Sequence, residues 1–396
     1  MIDDFIKGAG FLGRFEEVAR NEIGMGSVPY GAVPSKENLC WLIPLKNSDT
    51  SAAAFSLYQP SLVRARLLKK MAVLAAKSGI TGMIFRDRVY FSAEDSGVRK
   101  IFDRDDLQYA IFAGTKGRHR KITVQVMDGH GAILGYIKVS DSDEIDELLN
   151  NETTVLKRLS ELKISEGLYP RVLFSGAMNG THILVLDSLK NGKSTFSSKL
   201  SNAHISFLAE IFRKTAESGR FRESGFYRGL LTRIELLNGT AAKDFAIRGQ
   251  KILDFLDGRL GGRELPFGIC HRDFTPWNTF FHGPKLYAFD WEYAKEGYPP
   301  LLDLFHFIIQ NGVIVQKLEP NGLLKKIAAY KDLIGTYINA VGIAPECVTP
   351  LLLCYLVDVS LLYIEREKGS PSEDVRHISA IRTGLIDLIL GGRAAA

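Results

Sequence analysis

The sequence has few cysteines, and their spacing argues against two kinds of site. The 396-residue chain contains four of them, with no Cys-x-x-Cys pair and no Cys/His spacing typical of zinc ligands. A secreted domain held together by disulfides and a zinc site are therefore not expected. Reduced thiols are typical of proteins that stay in the cytoplasm, so we expect a cytoplasmic location. The four residues are Cys40, Cys270, Cys347 and Cys354.

The sequence also lacks a long uninterrupted apolar run. The longest one, residues 351–364, contains Asp358 and is shorter than the roughly 20 residues that a membrane-spanning helix needs. It predicts a buried helix, and we expect no transmembrane segment. The N-terminus begins with acidic residues and has no apolar segment, so we expect no signal peptide.

No block of residues with one charge sign stands out. The net charge of +5 comes from interspersed residues, which does not favour a nucleic-acid partner. The local exception is a predicted helix at 61–79, which has five basic residues and no acidic one. It predicts either a packed helix with a solvated basic face, which we favour, or a helix that lies on a membrane surface or an anionic partner. The basic residues are Arg64, Arg66, Lys69, Lys70 and Lys77.

The length of the chain and its pattern of apolar residues predict two or three parts. Residues 1–105 form an N-terminal extension whose role the sequence does not indicate. Residues 106–189 are rich in strands: a predicted meander at 109–140 precedes a helix, and a strand pair with an Asn-Gly turn follows it. Residues 190–392 are mostly helical. This organisation predicts an α+β fold, in which a small antiparallel-sheet lobe precedes a large helical lobe.

Two charged residues of the strand-rich part occupy apolar positions. Lys138 lies in the third predicted strand among apolar neighbours, where a strand-edge lysine that reaches solvent is the simplest interpretation. Glu152 lies on the apolar stripe of the following helix, four residues after Leu148 and three before Val155. A buried carboxylate is costly unless a cation meets it, so we expect Glu152 to pair with Lys138.

The stretch CHRDFTPWN, residues 270–278, gathers several polar side chains beside an apolar strand. Taken alone, it is compatible with a capped turn. A predicted hairpin after Asn278 would bring Asp290 back towards it, so that Asp273, Asn278 and Asp290 converge; such oxygen ligands suit magnesium. A second hypothesis is a metal-dependent hydrolase that uses His271, Asp273 and His282, although no further ligand cluster supports it.

Together these motifs resemble the kinase constellation, and in detail the aminoglycoside phosphotransferase and choline kinase family. That family typically has H-G-D-x-x-x-x-N, then Asp-Trp-Glu, then G-x-P-x-x-D-L, and this chain has HRDFTPWN, FDWE and GYPPLLDL. The resemblance covers roughly residues 106–310 and implies a bilobal, protein-kinase-like fold. The chain departs from the pattern at Arg272, where the family has glycine. A second departure is the loop at 113–120, which has only Gly114 and Gly117.

The resemblance implies a role for each matching residue. Asp273 would orient the acceptor hydroxyl and accept its proton, while Asn278 and Asp290 would hold magnesium. Glu152 would fix Lys138 against the α- and β-phosphates. The segment 184–189, with Asp187 and Leu189, would be the hinge that meets adenine, and the backbone at Gly114 and Gly117 would cap phosphate. Asp303 would be a structural residue at the start of a helix.

The resemblance therefore implies a small-molecule kinase that uses Mg²⁺ and ATP, or another nucleoside triphosphate. Its acceptor would be a hydroxyl of a sugar, an amino alcohol or an aminoglycoside-like compound. A polycationic acceptor calls for many carboxylates, whereas residues 291–392 have roughly balanced charges, which favours a sugar or amino alcohol. The alternative is a catalytically silent kinase-like protein that binds nucleotide or a partner.

Overall fold

The computed structural model describes residues 9–16, 27–33, 41–57, 63–80, 85, 88–93, 97–113, 121–240, 242–367 and 373–392. The chain divides into two compact units. The first comprises Met1–Arg158 and Tyr169–Ser194, and the second Leu159–Leu168 and Thr195–Ala396. The sequence pattern predicts boundaries after residues 105 and 189.

The strands of the described residues are β1 (Gly13–Glu16), β2 (Val28–Val33), β3 (Trp41–Pro44), β4 (Arg88–Ala93), β5 (Gln108–Ala113), β6 (Ile122–Met127), β7 (Ile133–Val139), β8 (Gly167–Leu168), β9 (Val172–Met178), β10 (Thr181–Asp187), β11 (Glu217–Arg220), β12 (Glu264–Cys270), β13 (Thr279–His282), β14 (Lys285–Ala288) and β15 (Lys295–Tyr298).

The helices of the same ranges are α1 (Ser48–Ala54), α2 (Val63–Lys77), α3 (Val98–Phe102), α4 (Asp143–Glu161), α5 (Asn202–Thr215), α6 (Gly225–Glu235), α7 (Lys243–Leu260), α8 (Leu302–Gln310), α9 (Pro320–Ala329), α10 (Lys331–Val341), α11 (Val348–Glu367) and α12 (Glu373–Leu390).

Nine strands of the described residues form an antiparallel sheet at the centre of the first unit, with the order β1-β4-β2-β3-β5-β6-β7-β10-β9. The predicted meander corresponds to β5, β6 and β7, and the predicted strand pair to β9 and β10. Asn179 and Gly180 join β9 to β10 with φ angles of 49° and 79°, as a tight hairpin turn requires. The four strands before residue 105 continue the same sheet, which is a role that the sequence did not indicate.

The predicted helix with the apolar stripe is α4, and the side of the helix that carries the stripe is buried. Ile145, Leu149, Leu156 and Leu159 are fully buried. Their spacing follows the helical period, so one side of α4 is apolar while the opposite side is exposed. Glu152 lies on the buried side, as its spacing predicted.

The second unit is mainly helical, and its described residues form two small sheets, β11-β12-β15 and β13-β14-β8. The sequence pattern of this unit predicts strands only near residues 270–290, so β11 and β15 were not expected. Both are four residues long and mostly exposed, which leaves little apolar alternation to detect.

The apolar run at 351–364 lies in α11, where it is buried from Leu351 to Leu361, as predicted. Within the described ranges, the segment Pro345–Glu367 is long and apolar enough to cross a membrane, but 72% of its apolar window is buried inside the protein. Its composition is accounted for by its place in the core, because Leu351, Leu353 and Leu356 are fully buried.

Candidate active site

The first unit contains a buried ion pair at the predicted position. The Lys138 Nζ atom donates to both carboxylate oxygens of Glu152, at 2.8 Å to Oε1 and 2.6 Å to Oε2. The side chains are 5% and 0% exposed respectively. Strand β7 supplies the lysine and α4 the glutamate. The pairing explains how α4 can carry a carboxylate on its apolar face.

In the second unit, Asp303 fixes the chain where β12 ends. Its Oδ2 accepts the backbone N–H of His271 at 2.8 Å, and its Oδ1 accepts that of Arg272 at 2.8 Å. Burial, and then the Asp303 charge, raises the pKa of the Cys270 thiol, so the thiol stays protonated and donates to Oδ1 at 3.2 Å. Asp303 lies in the first turn of α8, and it therefore ties the HRD segment to that helix.

Arg272 adopts a left-handed backbone conformation with a φ of 63°, which favours glycine. This geometry accounts for the glycine that the resembled family usually has there. The arginine side chain is buried and binds Asp358 of α11 through Nη2 at 3.0 Å, while its guanidinium lies 5.0 Å from the Tyr298 ring centroid. Arg233 of α6 also binds Asp358, at 2.6 Å. Although burial raises the pKa of the Asp358 carboxyl, the two arginines outweigh it and lower that pKa.

The next residue, Asp273, is held at both carboxylate oxygens. Asn278 Nδ2 donates to Oδ2 at 2.8 Å, and His306 Nε2 lies 3.2 Å from Oδ1. Because a carboxylate only accepts, Nε2 carries the imidazole proton, and Nδ1 can accept from the Tyr355 hydroxyl at 3.4 Å. The Asp273 side chain is 34% exposed, so its position is fixed while solvent still reaches it.

A hairpin brings the residue before Asp290 back to Asn278, as the sequence predicted. Strands β13 and β14 pair from Thr279 with Ala288 onwards, and the Phe289 N–H donates to the Asn278 carbonyl at 3.1 Å. Asp290 follows with a φ of 64°. Since the Asn278 amide nitrogen is bound to Asp273, its amide oxygen is the atom that a cation could bind.

The donor set of this hairpin fits magnesium. Asn278 offers an amide oxygen and Asp290 a carboxylate, which are hard oxygen ligands, and Mg²⁺ completes its shell with water and phosphate. The described ranges contain no group of three or more His, Cys, Asp or Glu side chains arranged to hold a metal.

The geometry of His271 does not fit the hydrolase hypothesis. Its Nε2 lies 3.0 Å from the Phe289 carbonyl, and its Nδ1 accepts the Asp273 N–H at 3.3 Å. Both ring nitrogens are therefore occupied by the backbone, and the ring lies 4.4 Å from that of Trp291 in a buried position. The imidazole supports the loop and offers no lone pair to a metal.

The remaining predicted site residues are placed as follows. Gly114 and Gly117 lie outside the described residues. Asp187 ends β10, where its N–H donates to the Arg171 carbonyl at 3.0 Å and its carboxylate binds the Arg171 side chain at 2.6 Å. Leu189 is 40% exposed, two residues beyond the strand.

Three further residues support Asp273 and Arg272 and were not predicted from the sequence: His306, Tyr355 and Asp358. His306 and Asp358 each interrupt an apolar run of a helix, FHFII and YLVDVS. That is the signal which identified Glu152, because a charged or polar residue on a buried face needs a partner. Tyr355 gives no comparable signal.

Comparisons with known proteins identify a family and structures of similar fold. A family model described as the APH phosphotransferase enzyme family matches residues 144–336. The chain is 13% identical to an apo thermostable mutant of aminoglycoside phosphotransferase APH(4)-Ia, with 76% of this chain and 100% of that chain covered and a TM-score of 0.50. A ternary complex of such a mutant with ADP and hygromycin B gives 12% identity, 76% and 98% coverage, and a TM-score of 0.50. A search of curated proteins finds no match.

These findings confirm the resemblance to the aminoglycoside phosphotransferase family and the predicted α+β, protein-kinase-like fold. At such low identity the solved structures show the fold alone. The family match is the finding that supports a small-molecule phosphotransferase.

Proposed function

We propose that the protein transfers the γ-phosphoryl group of ATP to a hydroxyl of a small molecule, with the help of Mg²⁺. The observation that carries the proposal is the Asp273 carboxylate, which Asn278 and His306 hold at one oxygen each while the side chain stays partly exposed. A general base must be positioned and reachable, and Asp273 meets both conditions.

In this reaction Asp273 orients the acceptor hydroxyl and receives its proton. The hydroxyl oxygen forms a bond to the γ-phosphorus while the bond from that phosphorus to the bridging β–γ oxygen breaks, which releases ADP. Most of the rate enhancement would come from positioning and charge stabilisation, since phosphoryl transfer requires little covalent chemistry from the protein.

Charge stabilisation would come from Lys138, Asn278 and Asp290. Glu152 holds the Lys138 ammonium group in place, and that group would contact the α- and β-phosphates. Asn278, through its amide oxygen, and Asp290, through its carboxylate, would hold Mg²⁺. The bound cation would neutralise phosphate charge. The ADP in the ternary complex of the similar phosphotransferase supports an adenine nucleotide as the donor.

The test measures ADP release from Mg-ATP with a panel of small hydroxyl compounds, for the wild type, Asp273→Asn and a control, Asp254→Asn. Asp254 is an exposed aspartate of α7. We expect Asp273→Asn to bind Mg-ATP normally and to lose a factor on the order of 10²–10⁴ in kcat, while the control keeps wild-type turnover. Wild-type turnover in Asp273→Asn would remove that residue from the mechanism. Mg-ATP binding without turnover of any acceptor would favour the silent nucleotide-binding alternative.

A further inference from the structure

A buried arginine of the second unit has no hydrogen-bond partner among the residues that the structure describes. Arg382 of α12 is 1% exposed, and its Nε, Nη1 and Nη2 atoms find no acceptor in the part of the chain that the structure describes. Its guanidinium lies over the Tyr363 ring, 4.2 Å from the centroid. A buried charge is costly unless it is paired, and stacking on an aromatic ring compensates for only part of that cost.

The contact with the Tyr363 ring gives the N–H donors of the guanidinium no acceptor, and the other described residues supply none either. A guanidinium is planar, and its N–H donors point outward in that plane. These donors form a fork that matches the two oxygens of a carboxylate or a phosphate. An anionic group is therefore the ligand that would complete the Arg382 environment.

Tyr355 connects Arg382 electrostatically to the proposed catalytic base. The Tyr355 hydroxyl lies 3.4 Å from His306 Nδ1, and His306 Nε2 lies 3.2 Å from Asp273. Burial raises the pKa of Tyr355 most; of the neighbouring charges, Arg382 lowers that pKa and Asp273 raises it. Tyr355 is thus within electrostatic reach of both charges.

We infer that the phosphate acceptor carries an anionic group, a carboxylate or a phosphate, which pairs with Arg382 while the acceptor hydroxyl meets Asp273. The inference rests on the proposed function and narrows its substrate class. A polycationic acceptor would instead bring positive charge to an unpaired guanidinium.

Two sets of matched compounds test the inference. The first set is glycerol, glycerate and glycerol 3-phosphate, and the second is glucose, glucuronate and glucose 6-phosphate. We expect ADP release to favour the charged members, and the comparison within each set distinguishes a carboxylate from a phosphate. For the preferred compound, Arg382→Gln should raise KM by a factor on the order of 10–100, the usual loss when a hydrogen bond to a charged group is removed, without weakening Mg-ATP binding. The control is Arg376→Gln, an exposed position of the same helix.

Thermal unfolding gives a second readout that requires no turnover. Replacing an unpaired buried charge with an apolar side chain should keep or raise Tm, so we expect Arg382→Met to be at least as stable as the wild type. Glycerate or inorganic phosphate should raise the Tm of the wild type and leave that of Arg382→Met unchanged.

Three results would overturn the inference. The first is preference for a neutral compound together with an unchanged KM in Arg382→Gln, a result that would leave the phosphotransferase proposal intact. The second is unfolding of Arg382→Met several degrees below the wild type, which would make the arginine a structural residue. The third is a wild-type Tm that neither glycerate nor inorganic phosphate shifts. If no compound is turned over, the proposed function fails, and the thermal measurement alone decides whether Arg382 binds anions.

A second, independent observation concerns the surface of α2 in the first unit. Ala76 is fully buried, and Ala72 and Val73 pack against the same core, so one side of the helix faces inward. The other side presents large apolar side chains to solvent, which a protein surface rarely does over a contiguous patch. We call this row the α2 face: Leu67, Leu68, Met71 and Leu74, which are 60–70% exposed.

Basic residues lie within and beside the α2 face. At 100° per residue, Arg64 lies between Met71 and Leu68, and Lys70 and Lys77 lie beyond Leu74. All three basic side chains are exposed, and α2 contains no acidic residue. Since a second copy of the chain would bring like charges together, we infer that the α2 face docks on an anionic membrane surface, with its leucines among the headgroups and its cations on the lipid charges.

Vesicle co-sedimentation tests this docking. We expect the wild type to bind phosphatidylcholine vesicles that contain about a third of phosphatidylserine, less so at high salt, and to bind pure phosphatidylcholine weakly. Leu67→Gln/Leu74→Gln should bind at least about tenfold less, whereas the control Leu236→Gln/Ile247→Gln, at leucine and isoleucine positions of similar exposure, should bind as the wild type does. Equal sedimentation of both double variants would overturn the inference. Absence of vesicle binding by the wild type would also overturn it. That holds even if the α2 face proves to support self-association or to bind an acidic protein.

Discussion

The Lys138–Glu152 pair allows stability and activity to be separated. Both side chains are almost fully buried, and the lysine binds both carboxylate oxygens. Lys138→Met leaves the carboxylate without its cation, so we expect the free energy of unfolding to fall by about 3–5 kcal/mol. Glu152→Leu leaves the ammonium group unpaired and should cost a similar amount.

The double variant Lys138→Met/Glu152→Leu should recover most of that stability, to within about 1 kcal/mol of the wild type, because two apolar side chains replace the buried pair. It should nevertheless remain inactive, because no cation is left for the nucleotide phosphates. Glu152→Gln keeps the shape of the side chain, and it should raise KM for ATP or lower kcat at a small cost in stability.

Urea unfolding, followed by circular dichroism, measures the free energies of unfolding of Lys138→Met, Glu152→Leu and the double variant. ADP release measures their activity. Arg104→Met provides a control, because it breaks an exposed pair with Asp106 and should cost less than about 1 kcal/mol. Strictly additive losses in the cycle would show that the pair is not coupled. A double variant that regains both stability and activity would show that the pair is structural and that Lys138 does not contact phosphate.

Three further predictions concern the second unit. Asp290→Ala should abolish activity and the magnesium dependence of nucleotide binding, and calorimetric magnesium titrations identical to those of the wild type would place the metal elsewhere. Arg272→Gly relieves a left-handed φ but leaves Asp358 with Arg233 alone, so urea unfolding should show a net loss of about 1–3 kcal/mol; a gain would show that backbone strain dominates. Burial raises the pKa of Glu210, but backbone N–H donors and a lysine outweigh it and lower that pKa from 4.5 to about 2. The contribution of ionised Glu210 to the free energy of unfolding is therefore complete above pH 4.5 and is lost as the pH falls towards 2. Glu210→Gln should remove about 1–2 kcal/mol of this pH dependence. An unchanged dependence of the unfolding free energy on acid pH would contradict the prediction.

The parts of the site that could be predicted depend on local patterns. Lys138 and Glu152 are fourteen residues apart, and the helical period alone placed Glu152 on a buried face that needed a cation. The Asn278–Asp290 hairpin followed from its short strands and turn. In both cases the partners are close in sequence, so few arrangements of the chain had to be considered.

The supporting contacts could not be predicted in this way. His306 lies 33 residues after Asp273, and Asp358 lies 86 residues after Arg272. The pattern of each helix shows that a polar residue is buried, but the choice of partner depends on how the helices of the unit pack. The lack of a hydrogen-bond partner for Arg382 among the described residues is likewise a property of the packed unit, and no sequence pattern singles this arginine out.

The sheet of the first unit shows the same limit. Strand β4 pairs with β1 on one side and β2 on the other, although more than fifty residues separate it from either. Strand β3 then pairs with β5, which joins the first hundred residues to the predicted meander. Apolar alternation can indicate a strand, but it does not identify the neighbour with which the strand pairs.

The interior position of β5 limits where the chain can be shortened. Strand β5 is paired with β3 through Ile111 and Phe112 and with β6 along its whole length. A fragment that begins at residue 106 would turn β5 into an edge, with unpaired backbone groups and with Tyr109 and Ile111 newly exposed to solvent. Such an edge recruits strands from other molecules, so this fragment would aggregate even though it retains every residue of the proposed active site. The part of the chain that carries the chemistry is therefore smaller than the part that has to fold with it.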